Sequence, residues 1–334
     1  MTVTTTSTGP AAAQAQFAGE TSGRGEWKRQ ANHFTGRISR DSTSAPGEGA
    51  DDQGRWPVEV GRYRLVVCLA CPWAHRSLIV LGLLGLQDAI SVGVVDPIRV
   101  EDGWRFWLDD GHRDPVLGIE LLSESYLATD PSFEGRVTVP CIVDTVTGRV
   151  VTNDYPQITL DLSTEWVEHH RPGAPDLWPE DMRAEMQVLI DEIYADVNNG
   201  VYRCGFATEQ DAYEQSYDRL FARLDVLEER LGISRFLLGE EPREVDVRLF
   251  TTLVRFDAAY HGHFKTNRNK LTEMPHLWRY ARELYALPGW GSTVDFDHIK
   301  RHYYGTHGQI NPTGVVPKGP DLSVWPAATP PQRA

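Results

Sequence analysis

The stretch of this chain best equipped for chemistry is Cys71-Pro72-Trp73-Ala74-His75-Arg76. A cysteine followed at once by proline fits the start of a helix, because the N–H that proline lacks would have had no intrahelical partner there. Cys71 then takes the N-cap, where unpaired backbone N–H groups and the positive end of the helix dipole favour a thiolate. That argument places the Cys71 pKa below about 7.5. His75 and Arg76, one turn on, add positive potential if they point back. The competing reading is an inert cysteine buried at the end of a strand.

Cys68 stands in C-x-x-C spacing with Cys71, which invites a dithiol oxidoreductase reading. In thioredoxin-type dithiols, however, the first cysteine opens the helix and the second lies within its first turn. Here Cys71 opens the helix and Ala74 holds the second place, so the register favours monothiol chemistry, with the dithiol as the alternative. Val139-Pro140 begins a short strand. In thioredoxin-like folds a cis-proline at such a point faces the active cysteine, and its neighbour's backbone pairs with a peptide-like thiol ligand. An ordinary trans-proline opening a strand is the commoner case. His261-x-His263 and His298-x-x-x-His302 have spacings a metal accepts, but neither has the cysteines or carboxylates that complete a zinc shell. No metal is expected. Phosphate-binding glycine loops are absent too.

The elements around these residues fall into two halves. Residues 62–70 are apolar and β-branched enough for a buried strand leading into Cys71, and residues 73–86 read as the helix that follows. A second strand is expected at 89–95, then a Gly- and Asp-rich insert over 96–136 with one short helix near 121–128. Strands at 140–144 and 149–152 form a hairpin through Thr147-Gly148, and 156–169 is helical. Beyond Pro172 and Pro175 the strand signals vanish. Residues 182–197, 210–231, 245–259 and 274–287 all carry helical periodicity. The expected fold class is therefore α/β plus all-α, with an α/β domain over 56–170 and an all-helical domain with a C-terminal extension over 171–334. Residues 1–55 precede them. The first 26 or so are too polar to offset ordering entropy, 27–38 could dock as an arm, and 40–53 read as a linker.

Composition narrows the function classes. With 33 basic against 47 acidic residues in 334, the net charge is −14, which disfavours nucleic acid and anionic membranes as partners. The longest apolar run, 77–86, is about half of the roughly 20 residues a bilayer span needs. Four cysteines do not make a disulfide scaffold, and the start lacks a signal-peptide pattern, so a cytoplasmic protein is expected. Only 5 of the 33 basic residues are Lys, a skew common in GC-rich genomes.

Read in order, the motifs resemble the Xi-class glutathione transferases, or glutathionyl-hydroquinone reductases, from about residue 27 to 325. They are Ala70-Cys71-Pro72-Trp73-Ala74-His75-Arg76, Gly135-Arg136-Val137-Thr138-Val139-Pro140, and Asn199-Gly200-Val201-Tyr202-Arg203-Cys204-Gly205-Phe206-Ala207. Arg255-Phe256-Asp257, Gly262-His263-Phe264-Lys265, Phe296-Asp297-His298-Ile299-Lys300-Arg301-His302-Tyr303-Tyr304, and Ile310-Asn311-Pro312-Thr313-Gly314 with Pro317 complete the series. The resemblance implies a thioredoxin-like N-terminal domain, a helical glutathione-transferase C-terminal domain and a homodimer. It further implies that Cys71 is the catalyst, attacking the sulfur of a glutathionyl-hydroquinone to give a mixed disulfide that a second glutathione resolves. By motif position, Trp104 and the backbone of Val139 hold the thiol, while Tyr202 and Tyr303 line the hydroquinone pocket. Some relatives of this fold only bind ligands, and a non-catalytic binding module is the rival reading.

Two departures stand out. Where the family has Asn-Glu-Ser before the third helix of the thioredoxin-like domain, this chain has Asn153-Asp154-Tyr155-Pro156. The family's Glu-Ser pair takes the γ-glutamyl end of glutathione. Asp154 can still accept from an ammonium, but Tyr155 puts a ring where a small hydroxyl stood. The co-substrate expected is therefore glutathione or, with the Arg-rich composition, mycothiol in its place, a cysteinyl sugar thiol of many GC-rich actinobacteria; the rival to mycothiol is that Asp154 with rearranged backbone still binds glutathione. The second departure is Arg243 at a helix start where a Ser or Thr cap is usual; Asp246 is kept, and Glu244 is the expected substitute for the cap.

Overall fold

The structure, a computed structural model, describes residues 18–45, 47–101 and 103–325. Strand β1 (Arg37–Ser39) pairs in parallel with β2 (Arg55–Pro57). The segment 40–53 expected as a linker is therefore the connection inside this small sheet. Strand β3 (Tyr63–Val67) is buried along its whole length and leads through Cys71 into α1 (Pro72–Leu84). A parallel pair needs a crossover, and α1 supplies it: β4 (Ile90–Val94) returns beside β3 with Leu65 opposite Val92. The insert contributes α2 (Leu122–Thr129). Strands β5 (Cys141–Asp144) and β6 (Val150–Thr152) then add antiparallel, giving the order β4-β3-β5-β6. Helix α3 (Tyr155–Thr164) packs against α1, completing a thioredoxin-like domain. Its N-terminal proline fits, since Pro156 stands in the first turn.

The second half holds α4 (Arg183–Ile193), α5 (Gly200–Phe206), α6 (Gln210–Ile233), α7 (Glu244–Arg255), the one-turn α8 (His261–His263), α9 (Pro275–Ala286) and α10 (Phe296–Thr306). Helix α7 is buried on all sides and packs on α1, α4 and α9. A helix so placed must pair its polar side chains internally. Glu244 does so, accepting from Thr159 Oγ1 at 2.6 Å and Arg248 Nε at 2.8 Å. It is thus not the substitute cap. Asp246 makes a different closure of the helix start, its carboxylate accepting from the N–H of Arg243 at the N-cap, from the Leu237 N–H and from the Tyr280 hydroxyl. Burial pushes Asp246 up to about 6 despite these donors.

Several elements differ from the sequence expectation, each for a local reason. The helices expected over 182–197 and 245–259 are interrupted by wide five-residue turns, Tyr194–Asn198 and Phe256–Tyr260. In the first, the Asn199 N–H reaches back five residues to the Tyr194 carbonyl at 2.9 Å, a bulge of the kind that often marks functional sites. The helix expected over 156–169 ends at Thr164, where the chain breaks to bury Trp166 edge-on against Tyr63. Helix α10 carries only Ile299, Tyr303 and Thr306 as buried positions among His, Lys and Arg, too few to read as a period.

The N-terminal segment packs further than its composition suggests. Of the start expected to stay unpacked, residues 1–17 lie outside the described residues. From Glu20 the arm is anchored: Glu20 is buried and pairs with Arg136 at 2.6 Å, and Trp27 is 4 % exposed. Further along, the Phe34 N–H donates to Asn153 Oδ1 and Thr35 bridges Thr152. The arm therefore covers the β6 side of the sheet and reaches the loop before β5. Among the described residues no helix is long and apolar enough to cross a membrane.

Candidate active site

Cys71 occupies the N-cap of α1 with extended backbone, and its carbonyl accepts the first helical bond from the His75 N–H at 3.0 Å. The thiol donates across the domain to the Val139 carbonyl at 3.3 Å, and the Val139–Pro140 bond is cis. All four cysteines are free. Cys68 lies fully buried at the end of β3, its thiol pushed far up by desolvation.

The turn that carries Cys71 is held from the helical domain by Arg255. This fully buried guanidinium donates to the carbonyls of Ala70 at 2.8 Å, Leu69 at 3.0 Å and Thr251 at 2.7 Å. Its remaining contact, at 3.0 Å, is His75 Nδ1, which must therefore accept. His75 Nε2–H then donates to Thr293 Oγ1 at 2.7 Å. The tautomer follows from the partners: His75 is neutral, its pKa held well below the usual value by burial and then by Arg255. So His75 does not point back at the thiol, and neither does Arg76. The latter is buried over Trp73, bonds Asn198, and is lowered to about 9 by desolvation.

The thiol itself departs from expectation. Burial raises Cys71 above the ordinary thiol range, outweighing the pull of the Ala74 and Trp73 N–H groups and of the Arg255 and Arg29 cations. Helix-terminus chemistry is present, but the walls that desolvate the sulfur come from segments far away in sequence. Iodoacetamide alkylation of Cys71 should accordingly be slow at pH 7 and keep rising beyond pH 9, since only the thiolate reacts. A rate that levels off below pH 7.5 would contradict the structure.

Cys71 lies in a cleft whose lining includes Trp104, Thr138, Val139, Tyr155, Tyr202 and Tyr303. Trp104 is buried and stacks on His302 at 5.4 Å. Tyr155 packs on Trp73 and bonds Tyr194 through their hydroxyls at 2.9 Å. Asp154 is not among the lining residues; its Oδ1 accepts from Asn32 of the arm at 2.8 Å. Tyr202 and Tyr303 share a hydroxyl contact of 2.6 Å, extended by Tyr260 at 2.9 Å from Tyr303. The cleft thus brings together six of the seven residues singled out from sequence.

Sequence reasoning passed over several others. Tyr260, which meets the cleft residue Tyr303 through its hydroxyl without lining the cleft itself, sits in the second wide turn, invisible in a helical pattern. His302 and His307 also line the cleft, with burial lowering His302 to about 3. Trp27, Arg29, Gln30 and Asn32 of the arm line it as well. The large aromatics Trp27 and Phe34 in an otherwise polar start were the available signal. Among the described residues no cluster of His, Cys, Asp or Glu is arranged to hold a metal.

Residues 70–165 match the family described as "Glutathione S-transferase, N-terminal domain", and residues 210–283 match "Glutathione S-transferase, C-terminal domain". The glutathionyl-hydroquinone reductase YqjG of Escherichia coli is 40% identical over 89% of this chain and 89% of its own. That protein has also been solved with glutathione bound. A glutathione transferase from Gordonia bronchialis is 57% identical, with a TM-score of 0.81 over 81% of this chain and 85% of that one. The Xi glutathione transferase of Phanerochaete chrysosporium superimposes with a TM-score of 0.85 at 38% identity, covering 92% of this chain and 97% of its own. With a cysteine at a helix start, a thioredoxin-like sheet and a helical domain behind the cleft, these matches place the chain: it belongs to the Xi-class glutathione transferases, the family of the glutathionyl-hydroquinone reductases, and is a glutathione-transferase-like oxidoreductase.

Proposed function

We propose that the protein reduces thiol conjugates of hydroquinones through a mixed disulfide on Cys71. The observation that carries this reading is the Cys71 sulfur at the helix N-terminus, 3.3 Å from the Val139 carbonyl, in one cleft with Tyr202 and Tyr303. Cys71 attacks the conjugate's sulfur, the new S–S bond forms as the ring C–S bond breaks, and the proton lost by the thiol balances the one gained by the ring. A free thiol then attacks the mixed disulfide and restores Cys71. In the free protein the thiol is neutral and bonded to Val139. A ligand whose backbone takes that carbonyl releases the thiol to the Trp73 and Ala74 amides, which favour the anion. Binding and activation of the nucleophile are then one event. Mass spectrometry after incubation with a glutathionyl-hydroquinone should show one glutathionyl adduct, on Cys71. An unmodified Cys71 beside released hydroquinone would defeat the mechanism.

The donor thiol in this reading is a sugar thiol such as mycothiol rather than glutathione. Support comes from two side chains that are already engaged: the Tyr155 hydroxyl with Tyr194, and one Asp154 oxygen with Asn32. No small hydroxyl stands there for a γ-glutamyl group. A missing hydrogen bond to a charged group costs about 1.5–3 kcal/mol, a ten- to hundredfold loss of glutathione affinity. A pyranose face, by contrast, suits the Tyr155 ring. Tyr155→Ser should therefore lower the KM for glutathione by about tenfold and raise that for mycothiol. An ordinary glutathione KM unchanged by the substitution would refute the assignment.

A further inference from the structure

The cleft contains a cation that the mechanism above does not use. Arg29 enters from the N-terminal arm, and its guanidinium lies over three rings: Trp73 at 4.3 Å, Trp27 at 4.8 Å and Tyr202 at 5.0 Å. Its Nε donates to Asn199 Oδ1 at 3.0 Å, on the first residue after the wide turn that ends at Asn198. Asn199 is itself 4 % exposed, so the guanidinium is anchored from one side. Its Nη2 is buried and has no hydrogen-bond partner among the described residues, and the same holds for Trp27 Nε1. Both side chains line the cleft with Cys71 and Tyr202. A buried N–H without a partner is costly. Two such donors, on side chains of one arm that both line this cleft, make a site for acceptor oxygens.

The chemistry of the proposed reaction needs an acceptor there. An aryl carbanion is a poor leaving group, so cleavage is easiest from the keto form of the ring. In that form the proton of the hydroxyl ortho to sulfur has moved to the carbon bearing sulfur. When Cys71 attacks sulfur, the C–S electron pair passes into the ring and onto the carbonyl oxygen. The ring leaves as a phenolate, which takes up the proton Cys71 has given. Cys71 and the thiol are oxidised together to the disulfide, and the ring carbon is reduced. Negative charge thus appears on one ring oxygen as the C–S bond breaks, and preorganised cationic donors in a water-poor site stabilise such charge strongly.

We infer that Arg29 is a catalytic residue of the arm that receives this phenolate oxygen, with Trp27 Nε1 as a second donor to the ring. This rests on the Cys71 reading. A carboxylate of the thiol is the other anion that could reach Arg29, and the leaving group separates the two. Glutathionyl-hydroquinone and oxidised glutathione deliver the same glutathionyl group to Cys71, but only the first releases a ring. Single-turnover rates with each are measured in Arg29→Met and Arg29→Lys, divided by the rate of Cys71 alkylation in the same variant. The expected result is a loss of about a hundredfold with the hydroquinone conjugate in Arg29→Met, a smaller loss in Arg29→Lys, and a change of less than about threefold with oxidised glutathione. Equal losses with both substrates, or no loss with either, would overturn the assignment. If Cys71 formed no adduct with either substrate in the unsubstituted protein, the underlying reading would fail instead.

Discussion

Cys71→Ser is expected to lower kcat/KM for hydroquinone conjugates by about a thousandfold or more, because the covalent route disappears with the sulfur. A serine at the same N-cap still reaches the Val139 carbonyl, so the fold and the ligand affinity should survive. Loss in kcat with an unchanged KM is therefore the signature to look for. Cys68→Ser is the control. That side chain lies buried at the end of β3, away from the cleft, and turnover should stay near normal even if stability drops. Full activity in Cys71→Ser would favour the binding-module reading, and an inactive but folded Cys68→Ser would favour the dithiol.

Arg255→Met should have the largest effect on stability. The substitution removes donors from the Ala70 and Leu69 carbonyls of the turn bearing Cys71, from His75 Nδ1 in α1 and from the Thr251 carbonyl within α7 itself. Each buried acceptor left alone costs about 1–3 kcal/mol. Relief from burying a cation offsets part of that, leaving an expected net loss of about 2–5 kcal/mol in urea unfolding. Cys71 alkylation at pH 7 should slow further, because Arg255 is one of the two cations that pull its pKa down. A loss below about 1 kcal/mol would mean that the loop carbonyls find other donors.

Local signals in the chain translated well into local structure. Cys71-Pro72 marked the start of α1, and the hairpin of β5 and β6 followed from Thr147-Gly148 between two β-branched runs. What sequence reasoning missed is non-local. The Cys71 pKa was argued from its helix terminus, yet desolvation decides it, and that depends on residues brought in from the arm and from α10. Arg255 reads in sequence as an ordinary basic residue near a helix end. Only the packing of α7 against α1 reveals it as the clamp on Leu69 and Ala70. Tyr260 and Asn199 owe their positions to wide turns, which leave no trace in apolar periodicity. Arg29 carries no signal of its own, since a lone arginine in a polar start resembles any solvated charge.

The arm over the cleft has a consequence for the lifetime of the enzyme. Peroxide attacks thiolates far faster than thiols, and each further step up the sulfur oxidation ladder is harder to reverse. Trp27 and the aromatic wall crowd the half-buried Cys71, and this desolvation favours the protonated thiol between turnovers. The same burial that makes the resting nucleophile sluggish also spares it from sulfenic and sulfinic acid. In a chain shortened to begin at β2, the thiol would be more exposed and quicker to be lost to oxidants.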